Sequence, residues 1–384
     1  MAIYHPTLEY VLVGSVAASV TFILTPLARR VAIGIGAVAR PRDRDVHAVA
    51  TPRMGGVALF VGFAMALFLA ARLPALRSAF RSGPELAWIL IAGAIICAVG
   101  VIDDKYELDS LTKLAGQVLA TAIMVTRGGV QLAEIYVPWG DNGTLALGRD
   151  LAIPVTIVLT VLTINAVNFI DGLDGLAAGV SAIAAGAFFL FSHHIASADF
   201  LGVAAPALLT AALAGACIGF LPHNFFPARI FMGDSGSMLV GLMLSAAATT
   251  ATTSTDPQVF QGAAGSIPLM LPLLIPLAVL IVPFVDLVLA VIRRVIRGQS
   301  PFAPDKQHLH HRLLEMGHSH RRAVLLLYFW TALLAFGGVS FSIFRGPWVL
   351  VGTLSGGVLL GIVVSVLPRL HRDGQIAAVA RRTS

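Results

Sequence analysis

Polar side chains cluster at Asn165, Asn168, Asp171 and Asp174, with Gly172 and Gly175 among them, between an apolar run from Leu151 to Ile164 and another from Ala177 to Phe191. Polar groups are costly in lipid, so such a cluster at the seam of two hydrophobic segments is a functional-site hypothesis. If the turn is helical, these four residues, spaced by three, drift slowly round one face. A solvated loop with turn residues and a helix cap explains the same stretch. Taken alone it does not separate the two readings.

Four other polar groups tip the balance. Asp103 and Asp104 end an apolar segment and are followed by Lys105 and Lys113. Adjacent carboxylates repel each other and persist where a cation lies nearby or one holds a proton. Lys105 as a helix-end partner is the plain explanation. Lys113 opens the next apolar run, within reach of an anion there. Asn224, Arg229, Phe231 and Asp234 fall in one string that ends Gly233, Asp234, Ser235, Gly236. Trypsin-like proteases carry a similar Gly-Asp-Ser-Gly, but here the string opens a membrane helix. A helix start with free N–H groups suits an anion or a metal–phosphate assembly; an N-cap role for Asp234 or Ser235 explains one residue, not the string. The basic stretch 39–56 carries Arg44, His47, Gly55 and Gly56, the glycines allowing close backbone approach. The stretch 293–312 carries Arg294, His308, His310 and His311. Three histidines suit zinc, whereas the carboxylates and amides of the other motifs favour Mg²⁺ or Mn²⁺ and a phosphate substrate. Asp286 reads as a structural partner of Arg293 or Arg294.

The elements that must position these residues are membrane helices. The chain of 384 residues is 57% hydrophobic and 12% charged, where soluble domains carry about 25% charge. Windows of about 20 apolar residues fall at 8–28, 54–72, 85–102, 111–126, 151–168, 175–192, 201–221, 235–252, 266–292, 323–343 and 347–368. They predict an all-α, polytopic membrane protein with eleven transmembrane helices in a single domain. The ninth window holds Pro268, Pro272, Pro276 and Pro283 and is expected to be kinked or broken. Twenty of the 26 Lys and Arg residues fall on one side of this layout. That side is cytoplasmic, with the N-terminus outside and the C-terminus inside. Basic loops at an anionic leaflet account for the pI of 9.8 without nucleic acid. No cleavable signal is evident, and Cys97 and Cys217 sit in apolar segments, implying neither a disulfide framework nor a thiolate site. The external segment 127–150 suits a short hairpin. The tail 369–384 reads as basic and disordered.

Every unusual polar motif therefore reaches the cytoplasmic membrane edge, while mid-span positions are almost free of ionisable groups. A coupled transporter buries its charges at the bilayer midplane, so an anion transporter is the weaker reading. Carboxylates, amides and a basic loop at the surface suit metal-dependent phosphoryl transfer to a lipid whose head group is presented by the spans.

These motifs resemble the polyprenyl-phosphate N-acetylhexosamine-1-phosphate transferase family, glycosyltransferase family 4, in that family's order from about residue 38 to 314. Those residues carry the resemblance through Asp103-Asp104, Asn165 to Gly175, Phe231 to Ser237 and His308 to His311. Pro301-Phe302, Asp305 and the His308-x-His310-His311 pattern look like the bacterial undecaprenyl- or decaprenyl-phosphate branch that uses UDP-GlcNAc. The peptidoglycan branch, which transfers phospho-N-acetylmuramoyl-pentapeptide, typically has three consecutive histidines followed by Phe-Glu, absent here. The first loop departs from the family pattern, with Ala39 for an Asp and Asp45 for a Lys; Arg44 or Arg53 is left to supply the phosphate contact of that lysine.

The resemblance implies that UDP-GlcNAc and a polyprenyl phosphate give polyprenyl-diphospho-GlcNAc and UMP in the bacterial inner membrane, starting a cell-envelope glycan. It implies Mg²⁺ or Mn²⁺ on Asp234 and Asn168. Lys113 and the loop from Arg294 to His311, with Arg44, His47 and His310, are implied to hold substrate, chiefly its phosphates. Asp171, Asp174, Asn224 and Phe231 are implied to frame the uridine, and Asp103, Asp104 and His308 to be catalytic. A phosphate monoester has a second pKa near 6, so the lipid phosphate needs little deprotonation. Direct displacement is favoured, with Asp103 positioning that phosphate, over an aspartyl-phosphate route. A homodimer is an expectation without a motif behind it.

Overall fold

The computed structural model describes residues 6–39, 50–81, 83–136, 144–197, 204–254 and 319–344, together with 348, 351–353 and 355–359. Long apolar stretches must satisfy their backbone groups internally in a bilayer, which selects helices. The helices are α1 (Pro6–Ile35), α2 (Gly55–Ala70), α3 (Glu85–Tyr106), α4 (Ser110–Gly128), α5 (Arg149–Ile170), α6 (Leu176–Ser197), α7 (Ala204–Asn224), α8 (Gly233–Ser254) and α9 (His320–Phe344). The all-α expectation holds, with two short antiparallel ribbons beside the helices. Strand β1 (Val38–Ala39) pairs with β2 (Thr51–Pro52), and β3 (Glu134–Tyr136) pairs with β4 (Thr144–Ala146). The second ribbon is the hairpin expected within 127–150.

Several helices run beyond their hydropathy windows, and this changes where the motifs sit. α1 continues to Ile35, so Arg29 and Arg30 lie within it. α3 reaches Tyr106, α5 reaches Ile170 and α7 reaches Asn224. Asp103, Asp104 and Asn224 thus sit on the last turns of helices rather than in loops, and Asn165 and Asn168 lie within α5, as the 151–168 window had them. Backbone hydrogen bonding continues through polar residues until a breaker or a cap intervenes, whereas hydropathy stops at the first charge. α3 stops at Glu107, in the left-handed region at φ 51. α4 starts at Asp109, whose carboxylate accepts from Leu111 N and Thr112 N at 3.0 Å each.

Among the described residues, six helices are long and apolar enough to cross a membrane: α1, α3, α5, α6, α7 and α9. α2 is 16 residues, about 24 Å long, short of a hydrocarbon core of about 30 Å. α8 packs against α2, α3, α5 and α7. It buries Ser245, Thr249, Thr250 and Thr252. Thr250 and Thr252 return their hydroxyls to the carbonyls of Ala246 and Ala248. Protein rather than lipid surrounds α8, which lets the helix of the 235–252 window carry these polar side chains. The expected ninth span, 266–292, lies outside the described residues, as does much of the eleventh.

Glycines let the backbones around α8 meet. A Cβ on Gly100 would lie 2.3 Å from Ser235 Cα, one on Gly56 2.1 Å from Ser235 C, and one on Gly241 2.6 Å from Ile164 Cα. The close approach expected of Gly56 is therefore made to the start of α8. Gly100→Ala is expected to lower the midpoint of thermal unfolding in detergent, a cost of about 1–3 kcal/mol because backbone cannot yield as a side chain does. Gly34→Ala, whose Cβ meets nothing within 4 Å, leaves the midpoint unchanged or slightly raised.

Candidate active site

The first turn of a helix has unpaired N–H groups and a partial positive charge. At α8 they are taken by Asp104. Its carboxylate accepts from Asp234 N at 2.8 Å, Ser235 N at 3.3 Å and Ser235 Oγ at 2.7 Å. Gly233 enters at φ 69, and a Cβ there would lie 2.5 Å from either Asp104 oxygen. The anion place expected for a ligand at this helix start is thus filled by the protein's own carboxylate. Asp104, expected among the catalytic groups, is 5% exposed and spends both oxygens on this cap.

That cap sets Asp234 opposite Asp103 and Asn168. Lys113, in the first turn of α4, points back at α3. Its ammonium lies 2.8 Å from Asp103 Oδ2 and also pairs with Asp234 Oδ2. The other Asp103 oxygen accepts from Leu108 N at 2.9 Å, which folds the α3–α4 corner that aims the lysine. Asn168, on the last turn of α5, donates from Nδ2 to Asp234 Oδ1 at 2.7 Å and to Ser237 Oγ at 2.8 Å. Asp103, Lys113, Asn168 and Asp234 therefore converge from α3, α4, α5 and α8. Asn165, a turn deeper, exchanges hydrogen bonds with Gln117 at 2.7 and 3.3 Å. Gln117 is buried in α4, and the sequence offered only a polar residue on an apolar run to find it by.

Asp171 and Asp174 leave the helical face and enter the α5–α6 turn. Asp171 is half-buried. Loss of hydration, then repulsion from Asp234, Asp104 and Asp174, pushes it well above the usual carboxylate range, against a smaller pull from Arg53. Asp174 is buried and accepts from Ala228 N at 2.9 Å. Asn224 accepts from Gly175 N at 3.1 Å and donates to Ile230 O at 3.0 Å. The Gly175 carbonyl accepts from the Tyr328 hydroxyl of α9. Asp174 and Asn224, expected to frame a uridine, thus staple the 171–175 turn to the segment after α7. Tyr328 is a member of this clamp that the sequence did not mark. Phe231 is half-buried; its N–H donates to Pro52 O at 2.8 Å and its carbonyl accepts from Gly55 N at 3.1 Å. Arg44, His47, Arg294, His308, His310 and His311 lie outside the described residues.

Among the described residues, no group of three or more His, Cys, Asp or Glu side chains stands at metal-ligand spacing. Mg²⁺ needs less, since it keeps several waters and takes one or two carboxylates with substrate phosphates. Asp234 beside Asn168 and Ser237 is an all-oxygen donor set once the Asn168 amide turns over, an orientation that hydrogen bonding sets. The residues fit such an ion, with Lys113 now supplying the positive charge at Asp234.

A bundle of membrane-spanning helices with this polar junction at one edge has relatives among membrane transferases. Residues 86–252, which hold the whole junction, match the family described as Glycosyl transferase family 4. The chain is 48% identical over 370 residues to the decaprenyl-phosphate N-acetylglucosaminephosphotransferase of Mycobacterium tuberculosis, covering 96% of this chain and 91% of that protein. The protein of the same name from Mycolicibacterium smegmatis is also 48% identical, over 96% of this chain and 90% of its own length. The undecaprenyl-phosphate alpha-N-acetylglucosaminyl 1-phosphate transferase of Salmonella typhi is 30% identical over 338 residues, 86% of this chain and 84% of its own. The chain belongs to glycosyl transferase family 4 and is a multi-pass membrane protein.

The cap and the junction are separable by mutation. Asp104→Ala is expected to cost about 1–3 kcal/mol of stability, since it strands three donors, and to loosen Asp234. Thermal unfolding and Mn²⁺ binding followed by electron paramagnetic resonance would read both effects. Asp234→Asn is expected to weaken Mn²⁺ binding with little loss of stability.

Proposed function

We propose that this protein transfers GlcNAc-1-phosphate from UDP-GlcNAc to a polyprenyl phosphate, releasing UMP and forming polyprenyl-diphospho-GlcNAc. The convergence of Asp103, Lys113, Asn168 and Asp234 at one membrane edge carries this reading, within a family whose named members act on polyprenyl phosphates. Eleven spans, an external N-terminus and a cytoplasmic site in the inner membrane complete the arrangement, in line with the distribution of Lys and Arg.

An oxygen of the lipid phosphate attacks the sugar-bearing phosphorus of the donor. The new P–O bond forms as the bridging P–O bond to UMP breaks, and the leaving phosphate takes the electron pair. Both partners are anions, so the site must neutralise charge in place. Asp234 and Asn168 would hold Mg²⁺ or Mn²⁺, which when bound supplies neutralisation of the diphosphate and Lewis-acid polarisation. Lys113 keeps a cation between two carboxylates and is the protein's charge for the phosphates. Asp103 orients the lipid phosphate or takes its residual proton. Asp104 acts only by holding the start of α8. The 171–175 turn, which carries Asp171, is clamped by Asn224, Ala228 and Tyr328, while Phe231 is held on the segment after α7 by Pro52 and Gly55; both side chains are assigned to the nucleoside.

Membranes holding the protein, with radiolabelled UDP-GlcNAc, polyprenyl phosphate and Mg²⁺, are expected to move label into lipid with UMP release, and EDTA abolishes it. Asp234→Ala and Lys113→Met each lower kcat by about 10²–10³. No transfer from folded protein with this donor, together with transfer from UDP-MurNAc-pentapeptide, would overturn the donor assignment.

Divalent-ion affinity is expected to depend on pH. Asp171 is held above the carboxylate range in the ion-free protein, and a cation nearby favours its ionised form. Binding therefore releases a proton, and affinity rises with pH until it passes the raised pKa. Calorimetric titration with Mn²⁺ in buffers of different ionisation enthalpy measures that proton; Asp171→Asn removes it.

A further inference from the structure

A second basic feature lies outside the junction. Between the last turns of α1 and the segment after α7 is a cleft of 410 Å³ lined by Thr25, Pro26, Arg29, His223, Arg229 and Ile230. Among the described residues its ionisable lining is two guanidiniums and an imidazole, with no carboxylate. The ion pairs found among the described residues use Arg53 and Lys113, and neither Arg29 nor Arg229. The cleft is built rather than incidental. Arg29 Nε donates to the Arg229 carbonyl at 2.9 Å, which fixes the guanidinium while most of its five donors remain for a ligand. His223 Nε2 bonds the Phe22 carbonyl at 3.1 Å, and its ring packs on Phe22 at 4.8 Å.

One helical turn deeper the surface changes character. Phe22 and Ile23 of α1 are 47% and 68% exposed, and Ile218 of α7 is 56% exposed. α1 and α7 pack against each other, so this apolar surface lies beneath the cationic cleft. The order from the membrane edge inward is guanidinium, imidazole, then apolar side chains, which matches phosphate, glycerol, then acyl chain.

We infer that this cleft is a head-group site for an acidic phospholipid, its phosphate held by Arg29 and Arg229 and its acyl chains lying along Phe22, Ile23 and Ile218. Guanidinium forks bind phosphate oxygens two at a time, and basic pockets at a membrane edge select acidic lipids. The site is also wired to the junction. Arg229 lies between Ala228, whose N–H holds Asp174, and Phe231, whose carbonyl holds Gly55. A lipid anchored on Arg229 braces the segment that leads into Asp234.

The test is binding, read independently of catalysis. Native mass spectrometry of the full chain in detergent, offered phosphatidylglycerol or phosphatidylcholine, is expected to show one phosphatidylglycerol retained per chain and no such preference for phosphatidylcholine. Arg29→Gln/Arg229→Gln lowers retention about tenfold or more, while the charge-matched Arg30→Gln/Arg321→Gln, outside the cleft, retains it. Arg29→Lys/Arg229→Lys keeps the charges without the forks and is expected to fall between; it also carries the test if the glutamine pair does not fold. The inference is overturned if phosphatidylcholine is retained equally or if the control pair loses as much lipid as the cleft pair. It is also overturned if millimolar inorganic phosphate alone raises the unfolding midpoint as much as phosphatidylglycerol does, which would mark a free-phosphate site.

Discussion

The structure hangs on the bond between the Asp104 carboxylate and the start of α8. A helix beginning inside a membrane protein leaves N–H groups that lipid cannot satisfy, and Asp104 takes two of them together with the Ser235 hydroxyl. The contact is close because Gly56, Gly100 and Gly233 carry no Cβ. α2, α3 and α8 are thereby pinned end to end. Asp234, the first acidic residue of α8, is delivered to a fixed point beside Asp103.

Charge balance at that point follows from the pin. Asp103 and Asp234 cannot both be ionised and adjacent without a cation, and Lys113 supplies one from the first turn of α4. Its direction depends on the α3–α4 corner, where Asp103 accepts from Leu108 N and Asp109 caps α4. A site for anionic substrates needs positive charge that is mobile by a side chain but anchored by its helix. A lysine shared by two carboxylates meets that need.

A second layer steadies the rim. The 171–175 turn is held on one side by Asn224 and Ala228, on the other by Tyr328. α9 packs on α6, and a Cβ on Gly179 would meet the Tyr328 ring at 2.0 Å, so α9 sits tightly against the helix that follows the turn. A helix whose sequence shows no polar cluster thus governs the shape of a loop more than 140 residues earlier in the chain.

Several features were readable from residue order alone. Long apolar windows required helices because lipid leaves backbone groups no other partner, and the pairing of motifs at helix ends put the polar residues at one edge. The family and its class of chemistry followed from Asp103-Asp104, Asn165 to Gly175 and Phe231 to Ser237, since each string survives as a string. What each carboxylate does was not readable. Asp103 and Asp104 are neighbours of one type, yet one faces Lys113 and the other caps α8, because successive helical residues point about 100° apart and only packing decides what stands on each side. Asp174 and Asn224, read as site residues, also tie the 171–175 turn to the segment after α7, while Gln117 and Tyr328 looked like ordinary helix residues and became part of the frame. Local sequence determined that helices form and where polar groups gather along the chain. Only the tertiary structure decided which of those groups face one another, because hydrogen bonds and ion pairs between helices depend on positions that no local pattern encodes.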